Sequence, residues 1–450
     1  MDAANAPPWE MTTKTEAKDI TDEVHRGNTI KEITKHIDKL EVAVDVDFFV
    51  RYRKLPRLVD FIRTDEDPVL PLIFRLPIEP DANRYFFTPR VVSIGPYYHG
   101  KSCLAKMDRH KSRFLEEFLS HYTSRSLEHY QNELKNRLVK QSFKDEYYDE
   151  DNLTRDELVD IMILDGCFIL EFLIKIYNHI PDEIFQDETL LQYIKTDLLM
   201  FENQIPLFVL EMLYEDPIPT IEELLGYYFW GTKDDPSMYE KHLNPCSLSL
   251  LQYYNNLFIF PRSDDGKAKR VYSQGNYGEQ FGKDTRPVTC YLLGLSQSPS
   301  AQQLEKAGVV IRAKRSTNFL DITFHEGVLE MPILSIDEPF LLFFVNLLMF
   351  DLHVVDYHYV MESYCRFMAC LTKTSNDVAI LRKHGILEGK FITDEDWIHL
   401  MHWIGQPDHL LPKWHYFANL FDDLLLFCNR PKKKHVLRRF VSCCYGSCSL

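Results

Sequence analysis

A predominantly helical α+β fold, one large helical domain carrying a small antiparallel β-hairpin, is what this chain predicts. Three observations lead to it. Segments whose apolar residues return at helical spacing outnumber alternating ones. Several of those segments open on capping boxes. The one clear alternating pair is joined by Glu326-Gly327, a dipeptide suited to a tight hairpin turn.

Residues 1–45 form a polar leader with weak periodicity and a predicted helix at Thr29–Leu40. Phe74 to Ile94 mixes β-formers with Pro77, Pro80 and Pro89, which predicts short extended pieces rather than a long strand. Leu104 to Leu119 returns to helical spacing, and Asp145 to Asp151 is an acidic run expected to be a solvated loop. Thr154 with Glu157 makes a capping box, and the helix it opens runs until Pro181 forbids it. Apolar residues on every face predict that this helix is buried centrally. A further helix is expected over Asp197–Gln204, bending or stopping at Pro206. Gly, Ser and Asp accumulate over 264–299, a long loop or a lobe boundary. Ser300 with Gln303 opens another capped helix that Gly308 closes. Leu320, Ile322 and Phe324 then alternate, the turn follows, and Val328 to Ile336 returns as the second hairpin arm. Helices resume from Phe340. The organisation read from this is a leader at 1–45, a main domain at 46–428 with its candidate boundary at 264–299, and a basic, cysteine-rich tail at 429–450.

Composition narrows the function. The 450 residues are 45% hydrophobic and 26% charged, an ordinary globular balance, and 13% are aromatic, enough for a large core. A formal net charge of −16 argues against a nucleic-acid partner, because phosphate binding needs clustered Lys and Arg. The ten cysteines include no C-x-x-C pair. Cys103, Cys167, Cys246, Cys290, Cys365 and Cys370 sit mostly among apolar residues, where a buried thiol in a reducing compartment is expected. The N-terminus lacks the apolar stretch of a signal peptide. The longest apolar runs, Ile161–Tyr177 and Phe340–Phe350, are interrupted by charge or too short for the roughly 20 residues a bilayer needs.

The most tempting motif is Gly95-Pro96-Tyr97-Tyr98-His99-Gly100-Lys101-Ser102, which matches G-x-x-x-x-G-K-[ST]. In a phosphate loop, backbone N–H groups cradle the phosphates, the Lys neutralises them and the hydroxyl holds Mg²⁺. Three features argue against that chemistry here. The acid that would serve it, Asp165, lies inside a capped helical pattern. The alternating βα units of a parallel sheet are absent. Tyr97, Tyr98 and His99 crowd a loop that favours small residues. Gly95, Gly100, Lys101 and Ser102 therefore stand as an alternative only. His353, Asp356 and His358, and His399 with His402, have metal-ligand spacing, but amphipathic helix surfaces and satisfied polar residues are the favoured explanation, and no metal is expected. Glu202-Asn203-Gln204, in an apolar stretch before Pro206, is expected to satisfy buried backbone groups.

Taken in order, these segments resemble the plant family known as domain of unknown function 247. Arg75-Leu76-Pro77, Phe87-Thr88-Pro89 and Val92-Ser93-Ile94-Gly95-Pro96-Tyr97-Tyr98-His99-Gly100 are similar to its opening signature. Leu104 and Met107-Asp108 stand where the family has a Leu and a Met-Glu. Asp165-Gly166-Cys167-Phe168-Ile169-Leu170-Glu171 resembles its second motif, and Asp197 through Pro206 its most diagnostic one. Ala301–Val309, then Phe324, Gly327, Leu329 and Pro332, and Asn376-Asp377-Val378 through Gly385-Ile386 continue the match over about 70–430. Two departures stand out. Val345-Asn346-Leu347 and Phe350-Asp351-Leu352 replace the family's Arg-Asn-Leu and Phe-Glu-Gln, which puts a buried polar network there in doubt. Members generally end in a hydrophobic span, whereas residues 429–450 here are basic and cysteine-rich, read either as a substitute for that span or as the remnant of a lost one.

The resemblance implies a mostly helical protein with no catalytic residue, cofactor or metal to carry over. It implies recognition or signalling through a protein partner, such as a small secreted protein or peptide, at a membrane; some grass members are implicated as pollen-side self-incompatibility determinants. The location expected is membrane-associated, at the plasma membrane, or cytoplasmic. Lys432, Lys433, Lys434, Arg438 and Arg439 are candidate membrane-surface contacts, and Cys443, Cys444 and Cys448 candidate lipidation sites. The competing class is a nucleotide- or metal-dependent enzyme.

Overall fold

The computed structural model describes residues 84–123, 125–140, 153–214, 219–230, 249–259, 298–316, 318–353, 360–405 and 416–430. The leader and its predicted helix, the acidic run at 145–151, nearly all of 264–299 and the tail beyond Arg430 lie outside these residues. So do Cys246, Cys290, Asp356 and His358.

The centre of the molecule is the capped helix expected from Thr154. With α1 (Ala105–His121) and α2 (Leu127–Lys140) before it, this helix is α3 (Arg155–Tyr177). The Thr154 side chain accepts from Glu157 N, and the Glu157 carboxylate accepts from Thr154 N at 2.7 Å. Every residue from Ile161 to Lys175 is buried. α1 and α2 both pack along it; Phe114 of α1 stacks on Phe168, with ring centroids 5.5 Å apart. Burying an aromatic or branched side chain of this kind stabilises by about 1.5–3 kcal/mol, so this helix is the natural nucleus of the core. The chain leaves it through Asn178 and through His179 at φ +56°.

A 3-10 turn at Glu183–Gln186 leads to α4 (Glu188–Asp197), followed by α5 (Leu207–Leu213), α6 (Ile221–Trp230) and α7 (Leu250–Ile259). α5 and α6 pack on α3. Gly166 lets α5 approach, since a Cβ there would lie 2.6 Å from Leu213 Cδ1. The helix expected over Asp197–Gln204 is not formed. α4 stops at Asp197, residues 198–205 make irregular turns, and Pro206 opens α5 instead of ending a helix. The cause is side-chain competition: the Gln204 amide donates to Leu198 O and Met200 O, and the Asn203 amide to Asp197 O. These bonds occupy carbonyls that a helix would have used.

The second half carries the small sheet. α8 (Ala301–Ala307) has the expected Ser300–Gln303 box and a left-handed Gly308 at its C-terminus. β1 (Val310–Lys314), β2 (Thr323–His325) and β3 (Val328–Pro332) form one sheet in the order β1-β3-β2. The hairpin is β2–β3, paired antiparallel, and Glu326 and Gly327 both take positive φ in its turn, as a tight hairpin turn requires. Two details differ from expectation. Leu320 and Ile322 precede the strand in turns. β1, hidden by its alternating charges, adds a parallel partner from Val310↔Val328 to Lys314↔Pro332, so the sheet is mixed. A two-residue parallel pair joins β4 (Leu334–Ser335) to β5 (Leu387–Glu388). The remaining helices are α9 (Glu338–His353), α10 (Val360–Leu371), α11 (Ser375–Lys383), α12 (Asp394–Ile404) and α13 (Ala418–Cys428). α4 and α7 both contact α9, and α13 contacts α8 and β2. Buried apolar residues from Phe86 to Leu424 form one contiguous core. Among the described residues no helix is long and apolar enough to cross a membrane.

Candidate functional site

The polar residues of the signature segments converge on one irregular stretch, residues 84–100. Asp197, at the end of α4, accepts from three successive amides: Arg90 N at 2.9 Å, Val91 N at 2.7 Å and Val92 N at 2.9 Å. Burial pushes its carboxyl up to about 7, against the opposing pull of those N–H donors. Asn203 accepts from Ile94 N at 2.7 Å and donates to Val92 O at 3.0 Å. Gln204 accepts from Leu251 N, tying α7 to the same turn. Asp165, in the middle of α3, accepts from Gly95 N at 2.8 Å and pairs with Lys111 of α1, whose ammonium also reaches Ser93 Oγ at 3.2 Å. Lys111 and Asp165 are both fully buried.

The next residues outward repeat the pattern. Glu202 pairs with Arg84 and accepts from the Tyr98 hydroxyl at 3.0 Å. Glu338, at the start of α9, accepts from Arg90 Nε at 3.0 Å and from the hydroxyls of Tyr193 (2.6 Å) and Tyr85. The Arg90 guanidinium lies 4.1 Å from the Tyr85 ring centroid. Burial raises the phenols of Tyr85, Tyr98 and Tyr193, so they remain donors. Asn346 donates to Phe86 O and Leu342 O, both at 2.7 Å, and accepts from Phe201 N at 2.8 Å. Asp351 accepts from Met361 N. Despite the departures around them, Asn346 and Asp351 thus each hold buried backbone.

This arrangement holds backbone in place. Each of these side chains is turned to a backbone group, to an oppositely charged neighbour or, for the tyrosines, to a carboxylate, and charges removed from water need such partners. The phosphate-loop-like residues fit the same account. Gly95 has φ +77°, and a Cβ on it would lie 2.3 Å from Gln204 O, so its glycine serves packing. The amides of Gly95, His99 and Lys101 are bonded to Asp165, Pro96 O and Tyr98 O, and the segment before Gly95 is not a strand. Gly100, Lys101 and Ser102 are exposed. Among the described residues no group of three His, Cys, Asp or Glu has metal-binding geometry; His399 is exposed and His402 half-buried. Cys167, Cys365 and Cys370 are buried as expected, whereas Cys103 is exposed because it lies in the loop before α1. The candidate lipidation and membrane-contact residues of the tail lie outside the described residues.

The roles of Lys111, Arg84 and Glu338 were not apparent from sequence. A signal existed for Lys111, which falls among Met107, Phe114, Leu115 and Phe118 on the buried face of α1. A second polar cluster lies nearby. Glu171 and Lys175 of α3 meet Arg113 and Glu117 of α1 and Asp182 of the following loop. Lys175 Nζ lies 2.5 Å from Glu117 and 2.7 Å from Asp182, while Arg113 binds both Asp182 oxygens at 2.8 and 2.9 Å. Burial pushes Glu171 up to about 7. Burial also acts upward on Asp182, but the bonds from Arg113 and Lys175 overcome it and hold that carboxyl down at about 2.

Residues 73–446 match the family described as DUF247, plant protein of unknown function. The Arabidopsis thaliana protein named UPF0481 protein At3g47200 is 32% identical over 332 residues, which cover 70% of this chain and 68% of that protein. The Arabidopsis protein named Putative UPF0481 protein At3g02645 is 22% identical over 391 residues, covering 69% of this chain and 73% of that one. No solved structure matches. The extent of the family match and the first of these relatives place the chain plainly: it belongs to the plant DUF247 family.

Proposed function

We propose that this chain is a non-enzymatic recognition or signalling protein that acts by protein–protein contact at a membrane surface. The observation that carries the reading is the direction of the signature polar groups. They turn inward onto the backbone of 84–100, so the family pattern encodes a shape and leaves the exposed surface as the functional part. Support for the membrane side comes from the end of α13, where Leu426 is 61% exposed just before the basic stretch that begins at Arg430. A pollen-side determinant recognising a small secreted protein is the narrower form of this reading, and it rests on family resemblance. Calorimetric titration of the full chain with ATP and GTP tests the enzymatic alternative: no saturable heat is expected, and saturable binding overturns the proposal. Co-purification from plant tissue, with the recovered partner re-bound in purified form, tests the recognition itself.

A further inference from the structure

Four carboxylates share two permanent cations where α1, α3 and the loop after α3 meet. The cations are Arg113 and Lys175; Glu117, Glu171, Asp182 and Glu183 each lie within 3.8 Å of one of them. His110, 3.4 Å from Glu183, adds positive charge only when protonated. Excess negative charge in a largely buried corner is costly, and binding a proton removes it. Position selects the acid that holds the proton. Lys175 Nζ stands 2.5 Å from Glu117 and 2.7 Å from Asp182 but 3.8 Å from Glu171. Glu171 Oε2 is buried and receives no hydrogen bond among the described residues, whereas the Glu117 and Glu183 side chains reach water. The raised Glu171 carboxyl agrees with that placement.

The other neighbours of α3 leave this balance to the corner itself. α2 meets α3 through Lys135–Asp156 and Gln131–Asp160, at the opposite end of the helix. The one charged residue of α5, Glu211, is exposed, and α6 sets Tyr228 against Phe172 while Glu222 and Glu223 stand in its first turn. On α3 itself, Cys167 one turn earlier is a buried thiol. We propose that Glu171 and Lys175 form a proton-operated latch on the loop at 178–187. With Glu171 neutral, Lys175 is left to Asp182, and the loop is tied to both α1 and α3. With Glu171 ionised, Lys175 is drawn to it along their common helix, four residues apart, and Asp182 is left to the more exposed Arg113. The loop then loosens. It carries the 3-10 turn and leads into α4, whose last residue, Asp197, holds the amides of Arg90 to Val92, so the latch bears on the polar junction.

The closed latch keeps a proton that the open one, with Glu171 in water, releases above its ordinary value of 4.5. Opening is therefore favoured as pH rises, by up to about tenfold per unit between pH 5 and 7, and levels off above that. The inference stands apart from the recognition reading, since it concerns the fold's own response to pH. Hydrogen exchange of the full chain, followed by mass spectrometry and corrected for the intrinsic pH dependence of exchange, tests it. The reporters are Ile180 N, bonded to Lys175 O at 2.8 Å, and Ile184 N, bonded to Asp182 Oδ1 at 3.2 Å. Their protection should fall at least about tenfold from pH 5 to 7 in the parent and stay level in Glu171→Gln. Amides in the middle of α3, from Ile163 to Leu170, should keep theirs in both. Asp182→Asn removes the group that the latch grips and should leave the loop poorly protected at either pH. Glu171→Met, which also cannot titrate, decides the matter if Glu171→Gln does not fold. Parallel pH profiles for the parent and the Glu171 variants overturn the proposal, as does parent-like protection in Asp182→Asn. A loss shared equally by the loop and the middle of α3 overturns it too, because the pH response would then be global unfolding and not a latch.

Discussion

Gly95 and Gly100 separate the two readings of the loop they bracket. Both have positive φ, but a Cβ on Gly95 runs into Gln204 O, whereas one on Gly100 meets nothing within 4 Å. Gly95→Ala should destabilise by about 3 kcal/mol or more, adding steric overlap with backbone to conformational strain. Gly100→Ala should cost only the left-handed penalty of about 1–2 kcal/mol. Urea unfolding of the two variants gives the comparison; equal losses would remove the packing role assigned to Gly95. Lys101→Ala should stay within about 0.5 kcal/mol of the parent, as an exposed substitution does. Asn203→Leu strands Ile94 N, Val92 O and Asp197 O in the core. At about 1–3 kcal/mol for each buried group left unsatisfied, the loss should reach about 3 kcal/mol, and an unchanged unfolding midpoint would contradict the bonding described.

At the level of elements, legibility followed whether the determinants were local. α3 could be read because its cap is made three residues away and its burial follows from its own composition. The β2–β3 hairpin could be read because its turn dictates its pairing. The turn after Asp197 could not, since Asn203 and Gln204 take over helix carbonyls only in combination with an irregular segment a hundred residues earlier. β1 was missed because alternation of apolar and basic residues is weak beside its neighbours, and its parallel pairing is non-local. The polar junction was half visible: Asp165 and Glu202–Gln204 stood out as polar residues in apolar runs, but their partners lie far off in sequence. The Glu171 corner carries a prediction that belongs to α1 and α3 together. With its carboxyl raised from 4.5 to about 7, the folded state holds more protons than the unfolded chain between those values. Stability must therefore fall as pH rises from about 5 to 8, by on the order of 3 kcal/mol from this group. Asp197, also raised to about 7, acts in the same direction. Asp182 has the opposite sign: its depressed carboxyl stabilises above about pH 4, and that contribution is lost as pH falls towards 2. Melting temperature followed from pH 5 to 8 should decline in the parent and decline less in Glu171→Gln; parallel profiles would show that Glu171 is ionised throughout.

Across the whole molecule, the polar junction pins an early segment to residues far along the chain; the Asn346 to Phe86 bond spans 260 positions. Helices α3, α4 and α9 therefore hold one another through a strip of irregular backbone. The C-terminal end of the fold carries the last prediction. The Arg430 guanidinium lies 5.2 Å from the Phe427 ring centroid, and Phe427 in turn packs on Phe324 of the hairpin. The chain thus reaches its basic stretch directly from a packed part of the fold. Lys432, Lys433, Lys434, Arg438 and Arg439 follow within a few residues, and each cation near an anionic leaflet contributes about 1 kcal/mol. That attraction is reversible by itself, and acylation at Cys443, Cys444 or Cys448 would supply the second signal that stable anchoring needs. The purified chain should co-sediment with vesicles containing phosphatidylserine at low salt and be released at high salt. Replacing Lys432, Lys433 and Lys434 with Glu should abolish that binding without altering the melting temperature. In plant cells the parent should partition with membranes, while a variant with Cys443→Ser, Cys444→Ser and Cys448→Ser should move to the soluble fraction. If the cysteine variant and the parent fractionate alike, lipidation plays no part; if vesicles bind neither the parent nor the Glu variant, the tail is not an anchor.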